Sequence, residues 1–471
     1  MTRIKTDLLV IGAGSGGLSV AAGAAQMGAD VTLLEPHKMG GDCLNYGCVP
    51  SKALLAAGKR ASQIRDSAKF GLTATVDVDY GRVMDHVRDV IAQIEPHDSQ
   101  ARFEGLGVRV LRHAGRFIGP TTVQAGDTEI TARRIVIATG AHAFVPPISG
   151  LADVPYLTNE TLFDLTQAPD HLIVIGGGPI GVEMAQAHAR LGVRVSLVDM
   201  GPILPMNDEQ DRDILRDQLT ADGVVLHENV GIQNIAGDAG AIAVHLDNET
   251  QVSGSHLLVA TGRRPNVHGL DLERANIAYS DRGITVGADL KTSNPKVYAI
   301  GDVIGGAQFT HVAGYHAGVV IRSALLVLPA KASNTAIPTV TYTDPEIATV
   351  GLSQDQARAK FGGDIELVRF EHAGNDRAVA ERVTQGHTVA IVVRGRVVGV
   401  RVVGHQAGEL INFWTYMVTH REKIGKLAGM ISPYPTLTEI NKRVAGAYFS
   451  PRLFDNVWLK RFVRFVQKRL G

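Results

Sequence analysis

The 471-residue sequence is poor in cysteine, has no excess of either charge and contains no long apolar run. Its two cysteines are too few for the disulfide framework of a small secreted protein. The 47 basic residues balance the 47 acidic ones, which argues against nucleic acid as a partner, because its binders carry a basic excess. The best candidate for a membrane span, residues 317–328, is short and contains Arg322. We therefore expect a cytoplasmic protein.

Glycine, in contrast, is abundant, with 52 residues, and two similar glycine-rich turns lie about 160 residues apart. Each turn follows an apolar strand, residues 6–11 or 171–175, and precedes a helix. The glycines concerned are Gly12, Gly14 and Gly17 in the first turn and Gly176, Gly178 and Gly181 in the second. Two β-α-β units so far apart predict two nucleotide-binding domains rather than a short-period repeat.

An acidic residue closes the next strand of each unit, Glu35 in the first and Asp199 in the second. The glycines let backbone N–H groups approach a pyrophosphate, and the carboxylate binds a ribose hydroxyl. Turns without a ligand are the alternative, which two complete sets disfavour. Asp199 would repel a 2′-phosphate and no arginine follows it in residues 200–202. The second site is therefore expected to prefer NAD(H) over NADP(H).

Both cysteines fall in one short segment, as Cys43 and Cys48. A structural disulfide closing so small a loop would add only roughly 2 kcal/mol, and a structural zinc site needs about four ligands. No metal site is predicted. Pro50 suits the first turn of a helix that begins near Cys48, and that helix end would stabilise a thiolate. The pair is interpreted as a redox dithiol.

Residues 40–52 closely resemble the redox motif of the FAD-dependent pyridine nucleotide–disulfide oxidoreductases, which include dihydrolipoamide dehydrogenase, glutathione reductase and mercuric reductase. Further segments similar to family signatures are 138–140, 260–266, 298–302 and 343–346. The resemblance covers nearly the whole chain. It implies an α/β fold with two Rossmann-like dinucleotide-binding domains and an α+β C-terminal dimerisation domain. The implied segments are 1–148 and 267–336 for FAD, 149–266 for NAD and 337–471 for dimerisation.

The resemblance also implies roles for individual residues. The first fingerprint would hold FAD, with Glu35 on its adenosine ribose and Asp302 near its ribityl chain. Cys48 would lie next to the flavin as a charge-transfer thiolate, and Cys43 would exchange with substrate. Lys52 would pair with Glu183 near the flavin ring; the alternative is that both are surface helix residues. The implied cofactor-binding set is completed by Gly140, Gly262 and His311.

The C-terminal region departs from the family pattern. Tyr434 stands where most members have the histidine that serves as acid–base partner of the interchange thiol across the dimer interface, while Glu439 keeps its place. Mercuric reductase shares the tyrosine but has a C-terminal cysteine pair that this sequence lacks. Asp42 stands where many relatives have threonine, and its charge should disfavour a Cys43 thiolate. Neither dihydrolipoamide dehydrogenase nor mercuric reductase is a full match.

The last residues, 457–470, predict a basic amphipathic helix. At about 100° per residue, one face is apolar and the other carries Lys460, Arg461, Arg464 and Lys468. Such a helix suits peripheral contact with an anionic membrane surface, here the inner face of the cell membrane. The alternative is that it packs on its own dimer.

We therefore expect a homodimeric flavoenzyme that passes electrons from NADH through FAD to the Cys43–Cys48 disulfide and on to an unidentified acceptor. The enzyme alternatives are dihydrolipoamide dehydrogenase and a metal-ion reductase that uses only the inner thiols. The alternative from another class is a redox-sensing or membrane-docking flavoprotein.

Overall fold

The computed structural model describes residues 2–470. They form two compact units, one of residues 2–205 and 222–333 and one of residues 206–221 and 334–470. Within residues 2–470, no helix combines the length and the apolar character that a membrane crossing requires.

The α-helices are distributed along both units. In chain order they are α1 (Ser15–Gln26), α2 (Gly41–Asn45), α3 (Cys48–Arg65), α4 (Tyr80–Ile94), α5 (Gln100–Gly105), α6 (Pro179–Arg190), α7 (Glu209–Ala221), α8 (Thr310–Ala324), α9 (Gln354–Phe361), α10 (Asp376–Ala380), α11 (Ala407–Thr419), α12 (Gly425–Ala428), α13 (Glu439–Phe454) and α14 (Val457–Leu470).

The strands of the first unit outnumber those of the second. In chain order they are β1 (Thr2–Ile11), β2 (Val31–Leu34), β3 (Val108–Leu111), β4 (Gly115–Gly119), β5 (Thr122–Ala125), β6 (Thr128–Ile137), β7 (Ala141–Ala143), β8 (His171–Ile175), β9 (Arg194–Val198), β10 (Val224–His227), β11 (Ile232–Asp238), β12 (Ala241–Leu246), β13 (Gln251–Gly254), β14 (His256–Val259), β15 (Arg263–Pro265), β16 (Tyr279–Ser280), β17 (Gly283–Ile284) and β18 (Val297–Ala299). The second unit contains β19 (Thr339–Thr341), β20 (Glu346–Gly351), β21 (Ile365–Glu371), β22 (His387–Val393) and β23 (Arg396–Gly404).

The first nucleotide-type sheet has the strand order β3-β2-β1-β6-β5-β4, with β18 also paired to β6. β1 pairs in parallel with β2 and β6. Leu8 and Val10 are buried in the core on one face, and Leu9 and Ile11 are buried on the other. A strand buried on both faces reads as a continuous apolar run, and this explains why β1 could be predicted from the sequence.

The second nucleotide-type sheet has the order β10-β9-β8-β14, and all its pairs are parallel. The predicted strand 171–175 is confirmed. α6 begins at Pro179 directly after Gly178. Proline is tolerated at this first helical position because the N–H it lacks would have no partner within the helix.

The second unit is built on an antiparallel sheet of order β19-β20-β23-β22-β21. α11 and α13 contribute buried residues to its core, where the Trp414 indole N–H donates to Asn441 Oδ1 at 2.7 Å. α7 belongs to this unit. Its buried Asp211 carboxylate lies 2.8 Å from Nε2 of the buried His387 at the start of β22.

Candidate active site

The two cysteines lie on consecutive helices, Cys43 in α2 and Cys48 at the first position of α3. Both are free thiols, and Cys48 is the more exposed. The Cys48 Sγ lies 3.3 Å from the Thr310 hydroxyl at the start of α8, and the Cys43 thiol is its other hydrogen-bond partner. The two sulfurs and Thr310 therefore form one cluster.

This cluster makes the two thiols ionise very differently. The hydrogen bond from the Cys43 thiol lowers the pKa of Cys48 to about 6, with further help from Thr310 and the charge of Lys52. The same bond between the thiols, together with burial, raises the pKa of Cys43. Near neutral pH the dithiol thus holds a Cys48 thiolate next to a neutral Cys43 thiol.

Lys52 stands one turn after Cys48 on α3, and its ammonium donates to Glu183 Oε2 on α6 at 2.8 Å. The Glu183 side chain is only 5% exposed. The two helices approach closely at Gly58, where a Cβ would lie 3.1 Å from the Ala187 carbonyl oxygen. The structure therefore brings together a lysine and a glutamate that are 131 residues apart in the chain.

Asp42, which stands beside Cys43 where many relatives have threonine, lies in a cluster of charged side chains. Its carboxylate lies 3.3 Å from the Arg263 guanidinium and accepts a hydrogen bond from Asn159 at 2.9 Å. Arg263 also lies 3.7 Å from Asp302. Burial raises the pKa of Asp302, and Arg263 opposes that rise. The negative charge of Asp42 adds to the rise in the pKa of Cys43, in the direction that the sequence predicted.

The first glycine-rich turn has the geometry of a phosphate-binding turn. Gly12 has φ +106°, and a Cβ there would lie 2.3 Å from the Ala138 carbonyl oxygen. A Cβ on Gly17 would lie 1.9 Å from the carbonyl oxygen of Gly12. At Gly14, the N-cap of α1, a Cβ would have no neighbour within 4 Å. The backbone at Gly14 is therefore open to a ligand at the start of the helix.

The second turn repeats this arrangement residue by residue. Gly176 has φ +113°, and a Cβ on Gly181 would lie 1.8 Å from the Gly176 carbonyl oxygen. A Cβ on Gly178, the N-cap of α6, would have no neighbour within 4 Å. Two open helix starts with the same backbone geometry fit two dinucleotides.

The acidic residues at the strand ends are each oriented by backbone N–H groups. The Glu35 carboxylate accepts from Ala13 and His37, both at 2.8 Å. The Asp199 carboxylate accepts from Gly177 and, at 2.7 Å, from Gly201. Each carboxylate is thus fixed beside its own glycine-rich turn, where the ribose of a bound dinucleotide is expected.

The remaining predicted cofactor residues also lie in the first unit. Gly140 has φ +69° and Gly262 has φ +133°, and a Cβ on either would meet nothing within 4 Å. His311, in the first turn of α8, stacks on Phe309 with ring centroids 5.2 Å apart. Together with the two turns, these open glycines fit the close approach of ligands to backbone that FAD and NAD(H) require.

A cavity of about 370 Å³ opens beside Cys43. Cys43 and Thr310 line it, as do Ser15 at the start of α1 and the apolar Phe103. Two charged residues, Asp98 and Arg102, also face it, and burial raises the pKa of Asp98. Cys43 lines this cavity and Cys48 does not, so a molecule bound in it would contact the Cys43 sulfur.

Tyr434 and Glu439 lie in the second unit. The Tyr434 side chain is 67% exposed, and its hydroxyl donates to Asp376 Oδ2 at 2.8 Å. This hydrogen bond raises the pKa of Tyr434. Glu439 accepts from Arg443 one turn later on α13, at 3.0 Å. Within residues 2–470, no group of three or more His, Cys, Asp or Glu residues is placed to hold a metal ion.

Several residues of this site were not predicted from the sequence. Thr310 contacts Cys48 across 262 positions, and Asn159 contacts Asp42 across 117, and no local pattern signals either contact. Arg263 falls in the signature segment 260–266, so the sequence could have marked it as a site residue. Its position between the carboxylates of Asp42 and Asp302 could not be predicted from that segment. Asp98 and Arg102 lie outside every motif.

The comparisons with known proteins agree with this geometry. The family model described as pyridine nucleotide-disulphide oxidoreductase matches residues 6–317. The model for the dimerisation domain of the same family matches residues 337–445.

Individual relatives cover nearly the full chain. A mercuric reductase from Streptomyces lividans is 33% identical over 458 residues, 94% of this chain and 96% of the relative. A dihydrolipoyl dehydrogenase from Thermus scotoductus is 34% identical over 456 residues, 92% of this chain and 95% of the relative. Among solved structures, the HOCl-induced flavoprotein disulfide reductase RclA from Escherichia coli matches with a TM-score of 0.84 and 27% identity, covering 93% of this chain and 99% of that one.

Proposed function

The chain belongs to the FAD-dependent pyridine nucleotide-disulphide oxidoreductase family, and we propose that it uses NADH to reduce an external acceptor through Cys43 and Cys48. Membership confirms the predicted fold class and the prediction of an enzyme. The dimerisation-domain match supports a homodimer. The assignment of residues 1–148 and 267–336 to FAD, 149–266 to NAD(H) and 337–471 to dimerisation stays a prediction, as does a cytoplasmic location.

The observation that carries the proposal is the unequal placement of the two sulfurs. Cys43 lines the cavity, whereas Cys48 has its pKa lowered to about 6 by the Cys43 thiol. FAD, when bound, supplies the two-electron step between the nicotinamide and the dithiol. Gly12, Gly14, Gly17 and Glu35 would hold its adenosine and pyrophosphate parts, and Asp302 its ribityl chain.

The exchange with a disulfide acceptor balances within the dithiol. The Cys43 proton first passes to the Cys48 thiolate along the hydrogen bond between the two sulfurs. The Cys43 thiolate then attacks one acceptor sulfur and forms a mixed disulfide, and the released acceptor thiolate takes the proton from Cys48. The Cys48 thiolate then attacks Cys43, which restores the Cys43–Cys48 disulfide and releases the second acceptor thiolate, to be protonated by solvent. The acceptor is reduced by two electrons and the dithiol is oxidised by two. A metal ion is the second candidate acceptor, suggested by the likeness to mercuric reductases.

The experiment is NADH oxidation by the purified holoenzyme with a panel of acceptors: lipoamide, small organic disulfides, Hg²⁺ and Cu²⁺. Cys43→Ser should abolish reduction of the true acceptor. It should leave reduction of ferricyanide, which takes electrons without the dithiol, nearly unchanged. If Cys43→Ser reduces every acceptor as well as the unaltered enzyme does, the dithiol does not pass electrons to the acceptor and the proposal is wrong.

We further propose that the nucleotide is NADH rather than NADPH. A 2′-phosphate would meet the Asp199 carboxylate, which two backbone N–H groups hold beside the second turn. Comparing kcat/KM for the two nucleotides tests this, and Asp199→Asn should narrow the difference by improving NADPH use. A preference of the unaltered enzyme for NADPH would refute the assignment.

A further inference from the structure

The final helix α14 presents an apolar face that the chain itself does not cover. Trp458 is 75% exposed and Phe462 62%, and no residue of the helix is buried. Only Leu459 and Val466 are half-buried. Phe454, at the end of α13, is also 66% exposed. Exposed aromatic side chains on consecutive turns indicate a binding surface, because isolated monomers seldom expose contiguous apolar patches.

The charge of α14 is entirely of one sign. The helix carries five basic residues and no acidic one, while the whole chain is balanced, so the remaining residues have a net charge of −5. Four basic residues lie opposite the apolar face. The fifth, Arg469, falls within the apolar face at the helix end, where its guanidinium lies 4.5 Å from the centre of the Phe465 ring. Apolar burial and positive charge are therefore available to the same partner.

The match to the family's dimerisation domain ends at residue 445, before α14 begins at Val457. The helix therefore lies outside the matched dimerisation domain. Pairing of two α14 helices in a dimer seam is disfavoured, because each helix carries five positive charges and no negative one.

We propose that α14 binds the surface of an anionic lipid bilayer. The helix lies in the plane of the interface, with Trp458, Phe462 and Phe465 inserted at the boundary of headgroups and acyl chains. Lys460, Arg461, Arg464 and Lys468 contact lipid phosphates. The enzyme would thereby be held at a membrane, a property that does not depend on which acceptor it reduces.

The test is cosedimentation of the FAD-loaded full chain with vesicles of phosphatidylcholine containing phosphatidylglycerol, compared with phosphatidylcholine alone, at low and high salt. We expect binding to the anionic vesicles that weakens with salt. Trp458 reports insertion directly, because the only other tryptophan, Trp414, is fully buried. The fluorescence of Trp458 should shift to shorter wavelength on binding.

The variant Phe462→Glu/Phe465→Glu should weaken vesicle binding by more than about tenfold. Its matched control, Leu72→Glu/Met206→Glu, makes the same charge change at two other exposed apolar positions and should bind as the unaltered enzyme does. FAD content and NADH oxidation should be the same in all three proteins. If the unaltered enzyme ignores anionic vesicles, or if the Phe variant changes the sedimentation mass from dimer to monomer, α14 is not a lipid-binding helix and the proposal falls.

Discussion

At the scale of single residues, the chemistry rests on two sulfurs that are five positions apart but differ in ionisation. Hydrogen bonds from Cys43 and Thr310 stabilise a Cys48 thiolate, and that same interaction keeps Cys43 protonated. The helix start at Cys48 favours the thiolate further. The asymmetry is therefore a property of the pair and its neighbours rather than of either cysteine alone.

The first prediction concerns the Cys48 thiolate. In FAD-loaded Cys43→Ser, the serine hydroxyl can still donate to Cys48. The long-wavelength absorbance of the Cys48 thiolate should therefore persist from high pH down to a midpoint of about 6. Because the pKa is lowered, the thiolate is present above this pH and lost below it. In Cys43→Ala the donor is absent and the midpoint should rise. Equal midpoints in the two variants would show that Cys43 does not set the ionisation of Cys48.

The second prediction is that Lys52 contributes less than Cys43 to the lowered pKa of Cys48. The charge of Lys52 lowers the pKa of Cys48 less than the hydrogen bond from Cys43 does. Adding Lys52→Met to the Cys43→Ser variant should therefore raise the absorbance midpoint, but by less than the change from serine to alanine at position 43. Lys52→Arg serves as the control because it keeps the charge. If Lys52→Met raises the midpoint by more than that change does, the charge of Lys52 contributes more than the hydrogen bond from Cys43 to the lowered pKa of Cys48.

At the scale of elements, the two strand–turn–helix units are nearly identical in backbone but are assigned different ligands. In each unit the first glycine has a positive φ and the third lets the helix pack on the turn. The second glycine is the N-cap of the helix and faces open space. The N-cap glycines have φ −78° at Gly14 and −71° at Gly178, values that alanine adopts without strain. They can therefore be changed without disturbing the fold.

The third prediction uses this pair. A methyl group at Gly14 would meet no protein atom within 4 Å but would occupy the space that we assign to the FAD pyrophosphate. Gly14→Ala should therefore fold normally and lose most of its FAD. Gly178→Ala should keep its FAD and show a raised KM for NADH. Far-ultraviolet circular dichroism, flavin absorbance and steady-state kinetics separate the two outcomes. Loss of FAD in Gly178→Ala, or its retention in Gly14→Ala, would mean that the two turns have been assigned to the wrong ligands.

At the scale of the whole molecule, the expected direction of electron flow rests on Tyr434 in the second unit. A phenol with a pKa of about 10 already accepts protons poorly near neutral pH, and the hydrogen bond to Asp376 raises the pKa of Tyr434 further. The family's dihydrolipoamide-oxidising members use an imidazole at this position, as the resemblance implies. We therefore expect Tyr434 to be a poor base for taking a proton from a dithiol substrate.

The fourth prediction is that the enzyme oxidises dihydrolipoamide weakly and that Tyr434→His increases this rate. A general base contributes roughly 10²–10⁴-fold, so the increase should approach that range if the imidazole is oriented by a carboxylate. NADH oxidation by the preferred acceptor should change much less, and Tyr434→Phe is the control without a titratable group. Fast dithiol oxidation by the unaltered enzyme, insensitive to Tyr434→His, would show that another group is the base.

The sequence by itself determined the local design of this protein. β1 and β8 are apolar runs bounded by glycine-rich turns, and a Cβ on Gly17 or Gly181 would collide with a carbonyl oxygen only five residues earlier in the chain. The start of α3 at Cys48 and the amphipathic α14 were likewise predicted from local pattern and are confirmed. Interactions of this kind are encoded by neighbouring residues, so a single sequence reveals them.

Only the tertiary structure decided which distant residues meet. Thr310 beside Cys48, and Arg263 between Asp42 and Asp302, depend on how helices and loops far apart in the chain pack in the first unit. The inclusion of α7 in the second unit likewise has no local signal. The pKa values of the thiols follow from those contacts, because hydrogen bonds and burial act through space and carry no trace in the spacing of residues along the chain.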